Sequence, residues 1–203
     1  MLLLALGLVV LRRPVDWGDV ALWQWPLPAI RLPDGATYQA VISDGVGTAR
    51  PEGRTHAGVD LCYRRRTPAD LAMYPAGSSG GTRGFFAPPR VPVLAARDGQ
   101  VWSVERTPRG IMIVLDHGRP WSSLYQHLAT TLLPSHRRGR SVATGQPTRV
   151  KAGDVLGLMG ADPMQGPRAF RHLHFEAHHE GKPIDPAGSM AQWPRATWAQ
   201  AVT

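Results

Sequence analysis

The feature that most constrains the fold is punctuation. From residue 91 onward, Gly, Asp and Pro turn signals break the chain about every 8–12 residues, with short apolar stretches between them. The 22 Gly and 19 Pro among 203 residues fit many turns better than long helices. This spacing predicts an all-β domain of antiparallel sheets with one core. Strands are expected at Tyr38–Ser43, Val91–Ala96, Gln100–Arg106, Ile111–Leu115, Ser122–Leu128, Val155–Met159, Phe170–His178 and Lys182–Ile184. Asp98-Gly99 reads as a tight hairpin between the second and third of these, and Glu180-Gly181 as another between the last two.

The first third is less regular. Residues 1–11 form an apolar run followed by Arg12-Arg13-Pro14. The run is shorter than the ~20 residues a membrane span needs. It reads as a degenerate export signal or anchor, or as a buried strand, and weak membrane attachment through residues 1–11 stays open. Residues 14–36, rich in Trp and Pro, read as an extended lead-in. Tyr63–Arg90 reads as a long irregular stretch. Within it, Thr67-Pro68-Ala69-Asp70 marks a helix start, with a hydroxyl cap, Pro in the first turn and an acid three residues on. Gly77–Gly81 reads as a flexible loop. The expected division is a lead-in over 1–36, a main domain over 37–188 with an insertion at 63–90, and a tail over 189–203 that could end in a short helix.

The net charge of +8 is almost wholly arginine, since Lys151 and Lys182 are the only lysines. The arginines are dispersed and lack interleaved aromatics, so no nucleic-acid partner is indicated. Cys62 is the sole cysteine, which rules out an intrachain disulfide and a cysteine-rich zinc site.

Two histidine motifs stand out. His56 and Asp60 are four apart, and on a strand both would face one side. His172 and His174 are two apart in a strongly predicted strand. They would share a face while Leu173 and Phe175 turn to the core. Such a strand can offer one imidazole to a metal and the other to a bound substrate. Each motif alone is common. His117 is read as structural, His136 as solvated in a basic loop, and His178 and His179 as surface residues. Glu176 shares a face with His172 and His174, and is either a hydrogen-bond partner of a ligand histidine or an ordinary polar strand residue.

Taken in order, Thr55-His56-Ala57-Gly58-Val59-Asp60-Leu61, Tyr125-Gln126-His127-Leu128 and His172-Leu173-His174-Phe175-Glu176 resemble the three signature segments of the lysostaphin/LytM zinc endopeptidases. The resemblance covers roughly residues 40–188. It implies a compact antiparallel β fold with a groove across a metal site and long loops. It implies one zinc per chain held by His56, Asp60 and His174, with His127 and His172 as catalytic histidines. The implied activity is hydrolysis of peptide bonds in peptidoglycan stem peptides or cross-links, in the periplasm, cell envelope or outside the cell. The alternative within the resemblance is a non-catalytic module that binds the wall or activates an amidase. The chain departs from the pattern in the length of 63–90, which should rim the groove, in the loop 160–171 before His172, and in Cys62. On a strand Cys62 shares a face with Asp60; it reads as a small buried residue, with a thiolate ligand as the minor alternative. Oligomeric state is not legible.

Overall fold

The computed structural model describes residues 15–199, apart from 33–34, 77–80, 83 and 167–168. The apolar run at 1–11 and most of the expected loop at 77–81 therefore lie outside the described residues. Among those described, no helix is long and apolar enough to cross a membrane.

The fold is all-β, as the turn spacing predicts. Its spine is a set of long antiparallel strands. In chain order the strands of the whole fold begin with β1 (Ala29–Arg31), β2 (Thr37–Tyr38), β3 (Ala40–Asp44) and β4 (Val59–Arg64). A short helix α1 (Pro68–Met73) and β5 (Phe85–Phe86) follow, then β6 (Pro92–Leu94), β7 (Gly99–Thr107), β8 (Gly110–Asp116) and β9 (Trp121–Thr131). The small strands β10 (His136–Arg137), β11 (Arg140–Ser141) and β12 (Arg149–Val150) decorate β7 and precede β13 (Val155–Met159). The chain closes with β14 (Leu173–His179), β15 (Lys182–Ile184), helix α2 (Ala187–Met190) and β16 (Thr197–Ala199). The main sheet runs β11-β10-β7-β8-β9-β14-β4-β3.

Strand β9 is the pivot. Its first half pairs with β14 (Phe175 opposite Tyr125), and its second half pairs with β13 (Leu158 opposite Thr130). Val59, Leu61, Ile113, Leu115, Tyr125, Leu156, Leu173 and Phe175 are buried on the core side. Each such side chain is worth about 1.5–3 kcal/mol when fully withdrawn from water. On β8 the core-facing residues alternate with half-buried Met112 and Val114.

Three local expectations need correction. Asp98-Gly99 does not close a hairpin: β6 pairs with β13 and β7 with β8. Asp98 instead accepts from Ala152 N and Lys151 Nζ, both at 2.8 Å, and so ties two turns together. Gly99 is needed because a Cβ there would stand 2.6 Å from Asp116 O. Second, the lead-in, read as extended because proline blocks regular structure, holds a 3-10 turn at Val20–Leu22 and strand β1, and its Trp23, Trp25, Leu27, Ile30 and Leu32 are buried. Trp23 stacks on Trp193 at 5.1 Å and Trp17 on Trp121 at 5.0 Å, while β1 pairs parallel with β16. Proline prevents long strands here but not burial. Third, His136 is only 1% exposed: β10 pairs it with Val104, and its ring bonds Pro134 O and Thr148 Oγ1.

The capping box at α1 forms as the sequence indicates, with Thr67 and Asp70 bonded reciprocally. The described part of the insertion is far from irregular. The Arg65 guanidinium donates to the carbonyls of Thr82, Asp70 and Tyr74, and the buried Asp70 carboxylate accepts from the Tyr38 hydroxyl and from Arg66 N and Thr67 N.

Candidate metal centre and groove

The site is a row of residues facing one side of four adjacent strands. Gln126 on β9 lies opposite His174 on β14, His174 opposite Asp60 on β4, and Asp60 opposite Asp44 on β3. Directly opposed residues in antiparallel strands hold their Cβ atoms about 4.5–5.5 Å apart, which explains how residues 114 apart in sequence meet. Gly58 allows this packing: a Cβ there would fall 2.3 Å from Phe175 O.

His56 joins from outside the strand, contrary to a shared-strand reading of His56 and Asp60. Its backbone pairs with the turn before it (His56 N to Thr48 O, Gly47 N to His56 O). That turn swings the imidazole over Asp60. His56 Nε2, Asp60 Oδ1 and His174 Nδ1 then form a triangle with sides of 2.8, 3.0 and 3.1 Å.

The outer hydrogen bonds fix the proton positions. His56 Nδ1–H donates to Gly45 O at 2.9 Å, and His174 Nε2–H donates to Glu176 Oε1 at 2.9 Å. His56 Nε2 and Asp60 Oδ1 therefore present lone pairs to a common point. Either an extra proton on His174 Nδ1 or a cation must sit among them. The electrostatics agree. Burial disfavours a charged His174, yet the hydrogen bonds to Asp60 and Glu176 outweigh it and push its pKa up to about 9. Burial likewise raises Asp60, but the His174 hydrogen bond and the neighbouring histidines bring it down to about 2. Two nitrogens and one carboxylate oxygen on an accessible groove suit zinc, whose tetrahedral ligands at about 2.0–2.2 Å stand roughly 3.4 Å apart. The observed triangle needs to widen by only a few tenths of an ångström.

Glu176 is the outer partner of this cluster. Its second oxygen takes a 2.6 Å bond from His178 Nε2, so His178 is part of the support and not a plain surface residue. His179, also read as a surface residue, lies half-buried with its ring edge-on to Trp121. Burial opposes the Glu176 charge, but the bonds from His174 and His178 prevail and hold its pKa at about 2. On the other side, Arg50 bridges Asp44 Oδ2 (2.7 Å) and Asp60 Oδ2 (3.1 Å), leaving Asp60 Oδ1 to face the triangle. Arg50 was invisible as a site residue in the sequence, since it precedes the motif in a loop. Cys62 is fully buried, its thiol pushed up to about 12 chiefly by burial, and it lies outside the cluster able to hold a metal.

His127 and His172 stand beside the triangle, their rings 4.7 Å apart. On a regular strand His127 would share the core face of Tyr125. A bulge prevents this: β8 and β9 slip register between Ile111 and Ile113, and His127 takes φ +68°. A non-glycine residue in that region costs energy that its surroundings must offset. Here the His127 carbonyl accepts from Gly160 N at 2.7 Å, and a Cβ on Gly160 would stand only 2.7 Å from that oxygen. His127 Nδ1–H donates to Arg109 O at 2.8 Å, and His172 Nδ1–H to Phe170 O at 3.0 Å. Each ring thereby turns Nε2 away from its backbone partner, and the buried Nε2 of His172 has no hydrogen-bond partner among the described residues. Burial, reinforced by the neighbouring His172, pushes the His127 pKa down to about 4. The five histidine and aspartate side chains line one cavity of about 410 Å³, rimmed by Arg50, Arg54 and Arg109.

Residues 81–186 match peptidase family M23, and the chain belongs to that family. The matched span includes His127, His172 and His174; His56 and Asp60 precede it, across the insertion. Among curated proteins, the chain is 28% identical over 116 residues to the DD-carboxypeptidase/endopeptidase Mpg of Neisseria meningitidis, covering 57% of this chain and 24% of that protein. It is 34% identical over 98 residues to an uncharacterized metalloprotease of Haemophilus influenzae, covering 47% of this chain and 18% of that protein. The chain thus spans a quarter or less of the length of these relatives. Among solved structures, a zinc-containing peptidase from Vibrio cholerae superposes with a TM-score of 0.51 at 25% identity, over 85% of this chain and 41% of that one. LytM from Ruminococcus gnavus superposes with a TM-score of 0.54 at 20% identity, over 89% of this chain and 66% of that one, a likeness of fold.

Proposed function

We propose that this chain is a zinc-dependent endopeptidase that hydrolyses peptide bonds in the stem peptides or cross-links of peptidoglycan, in the cell envelope or outside the cell. His56 Nε2, Asp60 Oδ1 and His174 Nδ1 hold one zinc per chain, and His127 and His172 are the catalytic histidines. The observation that carries the reading is the convergence of these side chains on one open groove, each with its far atom anchored.

Zinc, when bound, supplies Lewis acidity that polarises a peptide carbonyl and acidifies water. The remaining chemistry belongs to the chain. His127 stays unprotonated at neutral pH because burial and His172 depress its pKa, so its Nε2 is ready to accept a proton. A proton taken from the attacking water onto Nε2 of His127 or His172 turns that ring into a donor. The same ring then hydrogen-bonds the developing oxyanion or protonates the leaving amine. The Arg109 and Phe170 carbonyls hold the rings at fixed tilt throughout.

The test is digestion of purified peptidoglycan followed by mass spectrometry of the released fragments. Fragments cut at peptide bonds are expected, lost after zinc chelation and restored by zinc, and lost in His127→Ala. Lysis that survives thorough chelation would overturn the reading. Intact zinc binding without cleavage, coupled to stimulation of an amidase, would assign the chain to the non-catalytic class.

A further inference from the structure

His127 and His172 share a support that the metal triangle does not use. His127 sits at φ +68°, a conformation that persists only while its surroundings hold it. Two bonds do so. Its ring Nδ1–H donates to Arg109 O at 2.8 Å, and its carbonyl accepts from Gly160 N at 2.7 Å. The same glycine reaches the other histidine, since His172 N donates to Gly160 O at 3.1 Å. Arg109 lies in the turn between β7 and β8, and Gly160 opens the loop between β13 and β14, so neither anchor belongs to a strand.

One ion pair ties these two anchors together. Asp162, two residues beyond Gly160, has a wholly buried side chain. Its Oδ2 accepts from the Arg109 guanidinium. Its Oδ1 accepts from Met164 N at 2.9 Å and so caps the 3-10 turn Pro163–Gln165. The other end is braced as well: Thr107 Oγ1 accepts from Arg109 N at 3.1 Å and donates to Gly110 O at 2.8 Å. Gly110, at φ +97°, lets the turn close on His127, because a Cβ there would stand 3.2 Å from His127 Cα. The path returns on itself: carboxylate, guanidinium, Arg109 carbonyl, His127 ring, His127 carbonyl, Gly160 amide and back to Asp162. A buried carboxylate stripped of its cation is costly, which keeps the circuit shut. The triangle of His56, Asp60 and His174 lies outside it, anchored by Gly45, Arg50 and Glu176.

We propose that Asp162 and Arg109 are positioning residues, whose ion pair locks the β7–β8 turn to the loop before His172 and holds His127 and His172 where both reach a substrate at the metal centre. The proposal rests on the peptidase reading above. Without the pair, turn and loop part, and His127 relaxes from its positive φ with its ring out of line. Turnover then falls while the metal triangle keeps its shape.

The test compares Arg109→Ala, Asp162→Ala, Asp162→Asn and the double alanine variant. Arg109→Ala removes the guanidinium but keeps the carbonyl that His127 uses, and the side chain is 39% exposed, so its loss leaves no core cavity. Cleavage of one defined cross-linked muropeptide gives kcat and KM, chelator competition gives zinc affinity, and urea unfolding checks the fold. Each single alanine variant is expected to lose about 100-fold in kcat, the scale of a misplacement of about 1 Å, with KM and zinc affinity within about threefold of wild type. The double variant should lose no more than the worse single variant, because both break the same bond. Asp162→Asn, which retains its two bonds in weaker form, should stay within about tenfold of wild type. If Asp162→Ala does not fold, Arg109→Ala and Asp162→Asn decide. NMR of zinc-loaded protein labelled with 15N-histidine gives a readout without turnover: the His127 ring signals should broaden or shift in Arg109→Ala, and those of His56 and His174 should not. Unchanged kcat in Arg109→Ala, zinc affinity falling in step with kcat, or losses that add in the double variant would overturn the lock and leave the peptidase reading standing. A wild type that cleaves nothing would overturn the peptidase reading; altered His127 signals in Arg109→Ala would then uphold the hold on the ring, and unaltered signals would overturn both.

Discussion

Replacing Glu176 by Gln tests how the metal centre is supported. Glu176 is held at a pKa of about 2 and so is fully ionised at neutral pH, with burial opposed by two histidine bonds. One oxygen receives His174 Nε2–H at 2.9 Å, and the other receives His178 Nε2–H at 2.6 Å. Glutamine is nearly isosteric and keeps one oxygen for His174. Its amide then points –NH2 at the nitrogen of His178, which must give up its own proton there to accept. The negative charge that draws His174 into the tautomer with a free Nδ1 lone pair disappears. Outer partners of this kind are worth about 10–100-fold in metal affinity. With one bond retained in weaker, neutral form, the lower end applies: about tenfold, or about 1.4 kcal/mol. The assay is competition for zinc with a chromogenic chelator at fixed pH, with urea unfolding of the metal-free protein as control. An affinity within twofold of wild type, in a variant that folds, would refute the idea that Glu176 sets the state of His174.

Two further outcomes follow from the geometry. Gly58→Ala places a Cβ 2.3 Å from Phe175 O and should cost roughly 1–3 kcal/mol in urea unfolding, since backbone must move. Gly181→Ala, with φ +75° and open space around it, should cost only about 1 kcal/mol; equal losses would contradict the close-approach argument. His117 is pushed down to about 4, mainly by burial, while it bonds Asp98 O and Ser123 Oγ. Its folded pKa lies below the ordinary value, so its contribution is complete above pH 6.5 and is lost as pH falls from 6.5 toward 4. The loss amounts to at most about 3 kcal/mol. His117→Gln should flatten the fall of unfolding free energy between those pH values; an unchanged slope would show that other groups cause it.

The parts of the site that were legible in sequence are those in which residue spacing alone decides direction. His172 and His174 two apart, the Thr67 to Asp70 capping box and the Glu180-Gly181 turn all behave as local rules require. What local rules could not supply was pairing between distant segments. Asp98-Gly99 has the composition of a hairpin, but β6 pairs with β13 and β7 with β8, segments that spacing alone does not bring together. His127 has the spacing of a core residue, and only a bulge held by Gly160 turns it to the groove. Arg50 and His178 carry no motif, and their roles arise from strands that meet in space. In the lead-in proline was weighed as a breaker of regular structure, yet β1 forms there by pairing with the distant β16.

The central claim is that three atoms share one zinc ion. Anomalous diffraction at the zinc edge from crystals grown with zinc tests it most directly. One strong peak is expected within about 2.0–2.2 Å of His56 Nε2, Asp60 Oδ1 and His174 Nδ1, with His127 and His172 outside bonding range. A peak bound to other side chains, or none at full zinc loading, would contradict it.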